Sequence, residues 1–275
     1  MTVSLAQKRL EFRKLHDAGC FVLPNAWDAG SALLLQSLGF KAVGSTSAGY
    51  AWSVGRPDYG LERDDVLQHL TALSAASDLP VNADFENGFA DRPEDVAASV
   101  TQCTATGVSG LSIENRTSDP KKPLYDDALA VDRIRASRRA IDASGTHVLL
   151  VARCEGFLVG QPDLAATIKR LVAFAEAGAD CLYAPGISTR EQIAAVVKAV
   201  APKPVNVLIG GKTELTVQVL AELGVRRVSL GGALARAAWG GFMRAAIEIK
   251  EKGTFAELGS GYPGGELQKI FAAPR

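Results

Sequence analysis

The stretch "VNADFENGF" (81–89) sets Asn82, Asp84 and Glu86 two residues apart. In a strand that spacing turns all three toward one face, with Val81, Ala83 and Phe85 on the other. Carboxylates aimed together repel unless they take up protons or share a cation. Two more stretches behave the same way. "GLSIEN" leaves Ser112 and Glu114 opposite Leu111 and Ile113, and "LLVARCEGF" leaves Arg153 and Glu155 opposite Leu150, Ala152 and Cys154. Asp84, Glu86, Glu114 and Glu155 would then face a single Arg153, and an unpaired buried carboxylate is costly. Oxygen donors with no His or Cys nearby suit a hard ion. An octahedral Mg²⁺ that keeps several waters fits best, with Mn²⁺ as an alternative. Glu155 is expected to pair with Arg153 or orient it. The competing reading is a structural ion-pair network.

These residues need a scaffold that brings neighbouring strand ends together. Short apolar runs at 21–24, 41–45, 80–85, 110–114, 147–153, 181–184, 204–209 and 226–230 read as strands. Helical patterns lie between them at 28–38, 62–77, 93–106, 128–143, 163–177, 189–200, 214–223 and 232–251, with entry signals such as "DRPEDV", "QPDLAA" and "STREQI". "AGAD" (177–180) and "ELGV" (222–225) read as helix-to-strand exits on a left-handed glycine. Eight strand–helix units in series without a linker predict an α/β fold, one (β/α)₈ TIM-type barrel over residues 1–275, with an added helical segment in the C-terminal tail. A doubly wound open sheet is the other topology considered. Barrel active sites lie at the C-terminal ends of the strands, where the parity argument puts the acids.

Composition narrows the partners. The chain has 30 basic and 30 acidic residues and no run of like charge, which speaks against nucleic acid or an anionic membrane surface. No apolar stretch is long enough to span a bilayer, and the opening "MTVSLAQKRLEFRKLHDAG" reads as a charged amphipathic helix, not a signal peptide. Cys20, Cys103, Cys154 and Cys181 lack metal or redox spacing and read as reduced thiols of a cytoplasmic protein.

Other chemistries find less support. His16, His69 and His147 all fall away from strand C-termini, which argues against His catalysis or zinc. Lys212 in "LIGGKTE" is the nearest candidate for a Schiff base, and a solvated loop lysine is the plainer reading. "SLGGALARAAWGG" could offer amides to a phosphate or simply make a turn. Residues 43–60, "VGSTSAGYAWSVGRPDYG", read as a long loop of the kind that forms lids or substrate clamps.

In order along the chain, "GSTSAG", "GRPD" ending in Asp58, "ADFENGF", "SIEN" and "VARCEGF" resemble the isocitrate lyase/phosphoenolpyruvate mutase superfamily over roughly residues 20–240. The resemblance implies that Asp84 ligates Mg²⁺ while Glu86 and Glu114 hold its waters. It implies that Thr46 and Ser47, with their amides, clamp the carboxylate of a small 2-oxo acid. Arg153 would neutralise charge developing on that substrate, and Asp58 would act near the reacting bond. Asn206, inward-facing on the seventh strand, is a further substrate-binding candidate. A homo-oligomer, dimer or tetramer, exchanging its last helix is also implied. The chain departs from the family's lyases where a K-K-C-G-H type loop would supply an acid/base cysteine: here the segment reads "ENRTSDPKKPLYDD", with Asn115 in place of a customary acid.

The leading expectation is an Mg²⁺-dependent lyase that breaks a C–C bond next to C3 of a small 2-oxo or 2-hydroxy carboxylate through an enolate. The alternatives are mutase or hydrolase chemistry on a C–P bond (phosphonopyruvate, carboxyphosphonate), a non-catalytic 2-oxo-acid-binding barrel, and an aldolase-type barrel using Lys212.

Overall fold

The computed structural model describes residues 3–273. Its strands are β1 (Phe21–Leu23), β2 (Asn25–Ala26), β3 (Val43–Ser45), β4 (Val81–Asp84), β5 (Gly110–Glu114), β6 (Leu149–Arg153), β7 (Cys181–Tyr183), β8 (Val205–Leu208) and β9 (Arg227–Ser229). All neighbours pair in parallel, in the order β1-β9-β8-β7-β6-β5-β4-β3-β2. The two ends of that sheet, β1 and β2, are separated only by Pro24, so the sheet curls into a nearly closed TIM-like barrel. The sequence predicts one strand over 21–24. Proline has no N–H to give a ladder, and the stave breaks there: β1 pairs with β9 and β2 with β3.

The helices are α1 (Leu5–Lys14), α2 (Ala29–Ser37), α3 (Ser47–Ser53), α4 (Arg63–Ala76), α5 (Pro93–Ala105), α6 (Asp127–Ser144), α7 (Leu164–Glu176), α8 (Arg190–Val200), α9 (Val217–Glu222), α10 (Ala233–Lys252) and α11 (Gly264–Ala272), with a 3-10 turn at Ala256–Ser260. Their starts follow the local chemistry. Pro93 opens α5 with Glu94 and Asp95 in its first turn, and a Thr189/Gln192 capping box opens α8. Gly178 (φ 104°) and Gly224 (φ 85°) supply the left-handed exits expected of them. One expectation needs correcting. The segment 43–60 is not loop throughout, because the Thr46 hydroxyl accepts from the Gly49 amide at 3.2 Å and starts α3.

The strand parity read from the sequence holds. Val81, Ala83, Phe85, Leu111, Ile113, Leu150 and Ala152 pack outward against the helices in one core. A second core fills the lower barrel with Phe12, Leu23, Ala42, Leu149, Val151, Cys181 and Tyr183. Phe12, from α1, plugs the bottom. It is fully buried, and a Cβ on Gly110 would stand 2.6 Å from its ring. His16 meets the Phe12 and Phe21 rings edge-on at 4.8 and 5.1 Å.

Two expectations concern stability. Phe12→Ala should lose about 3–5 kcal/mol and Gly110→Ala about 1–3 kcal/mol through overpacking, both read from urea unfolding. Burial lowers His16 from 6.5 to about 3 and His69 to about 4. Both stay neutral in the fold while the unfolded chain takes up protons below 6.5. Their contribution is therefore intact above pH 6.5 and lost as pH falls toward 4 and then 3. Unfolding free energies measured between pH 7 and 4 should show that slope, and a His16→Gln/His69→Gln double variant should flatten it.

Candidate functional site

At the upper end of the barrel, Arg153 gathers the acids of three staves. Its Nη1 donates to Asp84 Oδ1 at 2.6 Å and lies 3.0 Å from Glu114 Oε2, and its Nε donates to Glu155 Oε1 at 3.0 Å. The register explains the meeting: Glu114 and Arg153 are direct partners across β5 and β6, and Asp84 ends the next strand over. The other oxygen of Asp84 accepts from the Ser47 amide (3.0 Å) and hydroxyl (2.9 Å) at the start of α3. The Asp84 amide donates to the Ser45 hydroxyl at 2.8 Å. Every oxygen of this carboxylate is thereby aimed.

One guanidinium does not balance these acids. Burial and the charge of Asp84 push Glu86 up to about 8. Burial likewise raises Glu114 and Glu155, with Arg153 pulling the other way. Glu155 Oε2 lacks a hydrogen-bond partner, and Glu114 Oε2 has only its ion pair with Arg153. Arg153 itself is held firmly cationic by Glu114, Glu155 and Asp84, against its own burial.

The remaining candidates are placed as follows. Strand geometry stops at Asp84. Glu86 takes a left-handed backbone (φ 48°), is buried, and lines an outer cleft that also includes Asn87 and Arg116. Asp58 lies on the exposed segment between α3 and α4, where its Oδ1 accepts from the Tyr59 amide at 3.2 Å and lies 3.4 Å from the Ser47 hydroxyl. Burial of its carboxyl and the nearby Asp84 raise it. Thr46 is buried and spends its hydroxyl as an acceptor for Gly49. Asn206 sits one layer lower, donating to Ser229 Oγ (2.9 Å) and accepting from Arg227 Nε (2.8 Å). Thr46, Ser47, Asp58, Asp84, Arg153 and Asn206 share the walls of one cavity of about 230 Å³. Glu86 and Glu114 flank it.

Several contributors escape a reading of the sequence. Tyr59 donates its hydroxyl to Glu114 Oε1 at 2.9 Å, from a left-handed backbone (φ 60°). The Arg116 guanidinium lies 3.9 Å over the Tyr59 ring and pairs with no carboxylate among the described residues. Arg227, fully buried, bridges Asn206 and Asn82 beneath the acids. An arginine alternating with Val228 in "RRVSL" was a readable sign of an inward charge. No local pattern announces Tyr59.

Among the described residues, no three His, Cys, Asp or Glu side chains converge closely enough to cage a metal. The donors present fit a hard cation differently. They are all oxygens, they carry surplus negative charge, and one buried carboxylate oxygen, Glu155 Oε2, lacks a partner. Such a set suits an ion that keeps its own waters and touches one or two carboxylates directly. The competing chemistries lose their anchors. Lys212 is exposed and outside the cavity wall. The amides of Leu230 and Gly231, offered for phosphate in "SLGG", are taken by Asn25 Oδ1 at 2.9 and 2.8 Å. Cys103, Cys154 and Cys181 are buried free thiols, and no cysteine lines the cavity.

Comparison with known proteins agrees with this geometry. Residues 12–250 match the phosphoenolpyruvate phosphomutase family. A protein of Burkholderia cenocepacia J2315, provisionally described as a lyase/mutase, superposes with a TM-score of 0.96 at 48% identity over 98% of each chain. An uncharacterised protein of Mycobacterium tuberculosis (strain ATCC 25618 / H37Rv) is 36% identical over 225 residues, 81% of this chain and 82% of its own. 2,3-Dimethylmalate lyase, a PEP mutase/isocitrate lyase superfamily member, is 26% identical with a TM-score of 0.85 over 99% of this chain and 95% of its own. Phosphonopyruvate hydrolase, solved with oxalate and Mg²⁺, shares the fold at 24% identity (TM-score 0.85, covering 98% and 95%). The chain belongs to the phosphoenolpyruvate phosphomutase family, within the PEP mutase/isocitrate lyase superfamily of lyases and mutases that act on small carboxylates.

Proposed function

We infer that the protein is an Mg²⁺-dependent lyase that breaks a C–C bond next to C3 of a small 2-oxo or 2-hydroxy carboxylate through an enolate. The observation that carries this reading is the acid surplus around Arg153 at the wall of a small cavity. Asp84 would contact Mg²⁺ (or Mn²⁺), with Glu86 and Glu114 holding its waters. When bound, the ion supplies Lewis-acid stabilisation of charge at the keto oxygen.

The side chains divide the remaining work. Ser47, through its amide and hydroxyl, and Thr46 hold the substrate carboxylate, which would compete with Asp84 for the donors it now occupies. Arg153 stands where negative charge develops as the bond breaks, and Glu155 fixes its plane from behind. Asp58, raised by burial and Asp84, can carry a proton near C3. Asn206 borders the cavity floor. A volume of about 230 Å³ is below the usual range for drug-sized ligands, which favours a substrate of few carbons.

Two other readings each have an observation in their favour. The match to a phosphomutase family supports C–P chemistry on phosphonopyruvate. The loop 115–126, with neither Cys nor His, supports a barrel that binds a 2-oxo acid without turning it over. The reading extends to a homo-oligomer. Only Ala235 is buried along the 20 residues of α10, while Trp239, Phe242, Met243 and Ile247 stand exposed, as do Phe255 and Leu258 beyond it. A patch of that kind is a partner surface, and exchange of α10 with a second copy would cover it.

Oxaloacetate, 2-methylisocitrate and phosphonopyruvate, each supplied with Mg²⁺, should separate the readings by pyruvate release. Release from either of the first two, abolished by a chelator and lowered roughly 10²–10³-fold in kcat by Arg153→Met, is the expected result. Pyruvate from phosphonopyruvate alone would move the assignment to C–P chemistry. Tight Mg²⁺-dependent binding without product would leave a binding protein, and no turnover of any, with or without the ion, would sink the lyase. Arg153→Met should also cost about 3–5 kcal/mol of stability by stranding buried carboxylates. That loss should shrink at pH 5 relative to pH 8, because Glu114 and Glu155 then take up protons. Light scattering should give a dimer or larger species, and Phe242→Asp with Ile247→Asp should shift it toward monomer.

A further inference from the structure

The cavity of about 230 Å³ and an outer cleft of about 870 Å³ meet at three side chains common to both walls, Tyr59, Arg116 and Leu158. Of the arginines on the cavity wall, Arg153 is consumed by Asp84, Glu114 and Glu155, and Arg227 is locked between two asparagine amides. Arg116 differs. It is half-buried, makes no side-chain hydrogen bond or ion pair among the described residues, and rests its guanidinium 3.9 Å over the Tyr59 ring. A ring face supports a guanidinium without using up its N–H donors. Tyr59 is in turn pinned by its hydroxyl on Glu114. The result is a propped cation with its donors open, at the border of the cavity.

The surroundings say what it can meet. The outer cleft carries Glu62, Asp64, Glu86, Asp91 and Asp119, and its other arginine, Arg63, already pairs with Asp64. An anion is repelled from that cleft and attracted only at its inner margin. Ser47 and Arg116 line the same small cavity, so a small acid whose carboxylate is held by Ser47 has Arg116 on the wall beside it.

We propose that Arg116 is a specificity-determining residue that binds a second anionic group, carboxylate or phosphonate, carried on C3 of the substrate. Tyr59 is its positioning residue. What is assigned is the residue that would discriminate such doubly anionic acids from those with a single carboxylate. The proposal rests on the preceding reading of the site as one for small carboxylates.

The test is calorimetric binding with Mg²⁺ present, using oxalate as a probe of the inner site alone and malate and 3-phosphonolactate as probes with the second anion. It compares the wild-type protein, Arg116→Met and Arg116→Lys. A charge-assisted hydrogen bond is at stake, so Arg116→Met should weaken one or both extended ligands roughly 10- to 100-fold. Its oxalate affinity should stay within about twofold, and Arg116→Lys should recover part of the loss. Loss for malate alone identifies a carboxylate, and loss for the phosphonate alone identifies C–P substrates. Unchanged binding of both, or an equal loss for oxalate, overturns the role of Arg116 while leaving the site reading intact. Failure of the wild-type protein to bind oxalate at all would instead overturn the site reading, and this proposal with it. Tyr59→Phe adds a readout that a purely structural role would not move. It should weaken the extended ligands more than oxalate while circular dichroism stays unchanged.

Discussion

Arg153 brings one positive charge into a ring of acids that cannot move away from it. Asp84 and Glu114 are fixed by strand register, and Glu155, just past β6, by its amide donating to Asn115 Oδ1 at 2.8 Å, so their separation is a property of the barrel top. Three of them share one guanidinium, and Glu86 beside them has none. In a low-dielectric setting such an imbalance is relieved by proton uptake, toward which burial pushes Glu86, Glu114 and Glu155, or by a further positive charge. A proton on the carboxyl, or a hard cation among these oxygen donors, supplies it. The remaining features of the barrel top, from the Ser47 donors to the Tyr59 hydroxyl, orient groups around that deficit.

The barrel interior is graded to make this possible. Its floor is apolar, closed by Phe12, Val151 and Cys181. Above it lies an amide layer in which Asn82, Asn206 and Ser229 hold Arg227. The charged layer stands on top. The amides are satisfied among themselves and with Arg227, which makes the layer a rigid support for the charges above it. Arg227 adds a fixed positive potential from below without competing for the carboxylates.

Much of this was legible in the chain. Period-two alternation in "VNADFENGF", "GLSIEN" and "LLVAR" turns Asn82, Asp84, Ser112, Glu114 and Arg153 inward, as found, although the inward-facing Leu149 and Val151 are apolar too. What escaped depends on backbone events that alternation does not encode. Pro24 splits a stave by removing one donor. Glu86 follows the end of its strand, so its left-handed turn, not parity, aims it. Thr46 converts the first half of an expected loop into α3 through a cap three residues long. Tyr59 and Arg116 are distant in sequence and adjacent only because the segment before α4 folds back over β5. Local spacing carries no trace of such a meeting.

The break at Pro24 leaves the barrel wall with a seam, and Asn25 stitches it. Its amide nitrogen donates to the Ser45 carbonyl at 2.6 Å while its oxygen takes the amides of Leu230 and Gly231, at the root of α10. A single side chain thus ties the first stave both to the second and to the departure point of the long terminal helix. Through Asn25 the start of that helix is joined to the backbone one residue short of Thr46. The cavity wall and the root of α10 are therefore held by one residue, and exchange of the Leu230 and Gly231 amide protons reports directly on whether that stitch is fastened.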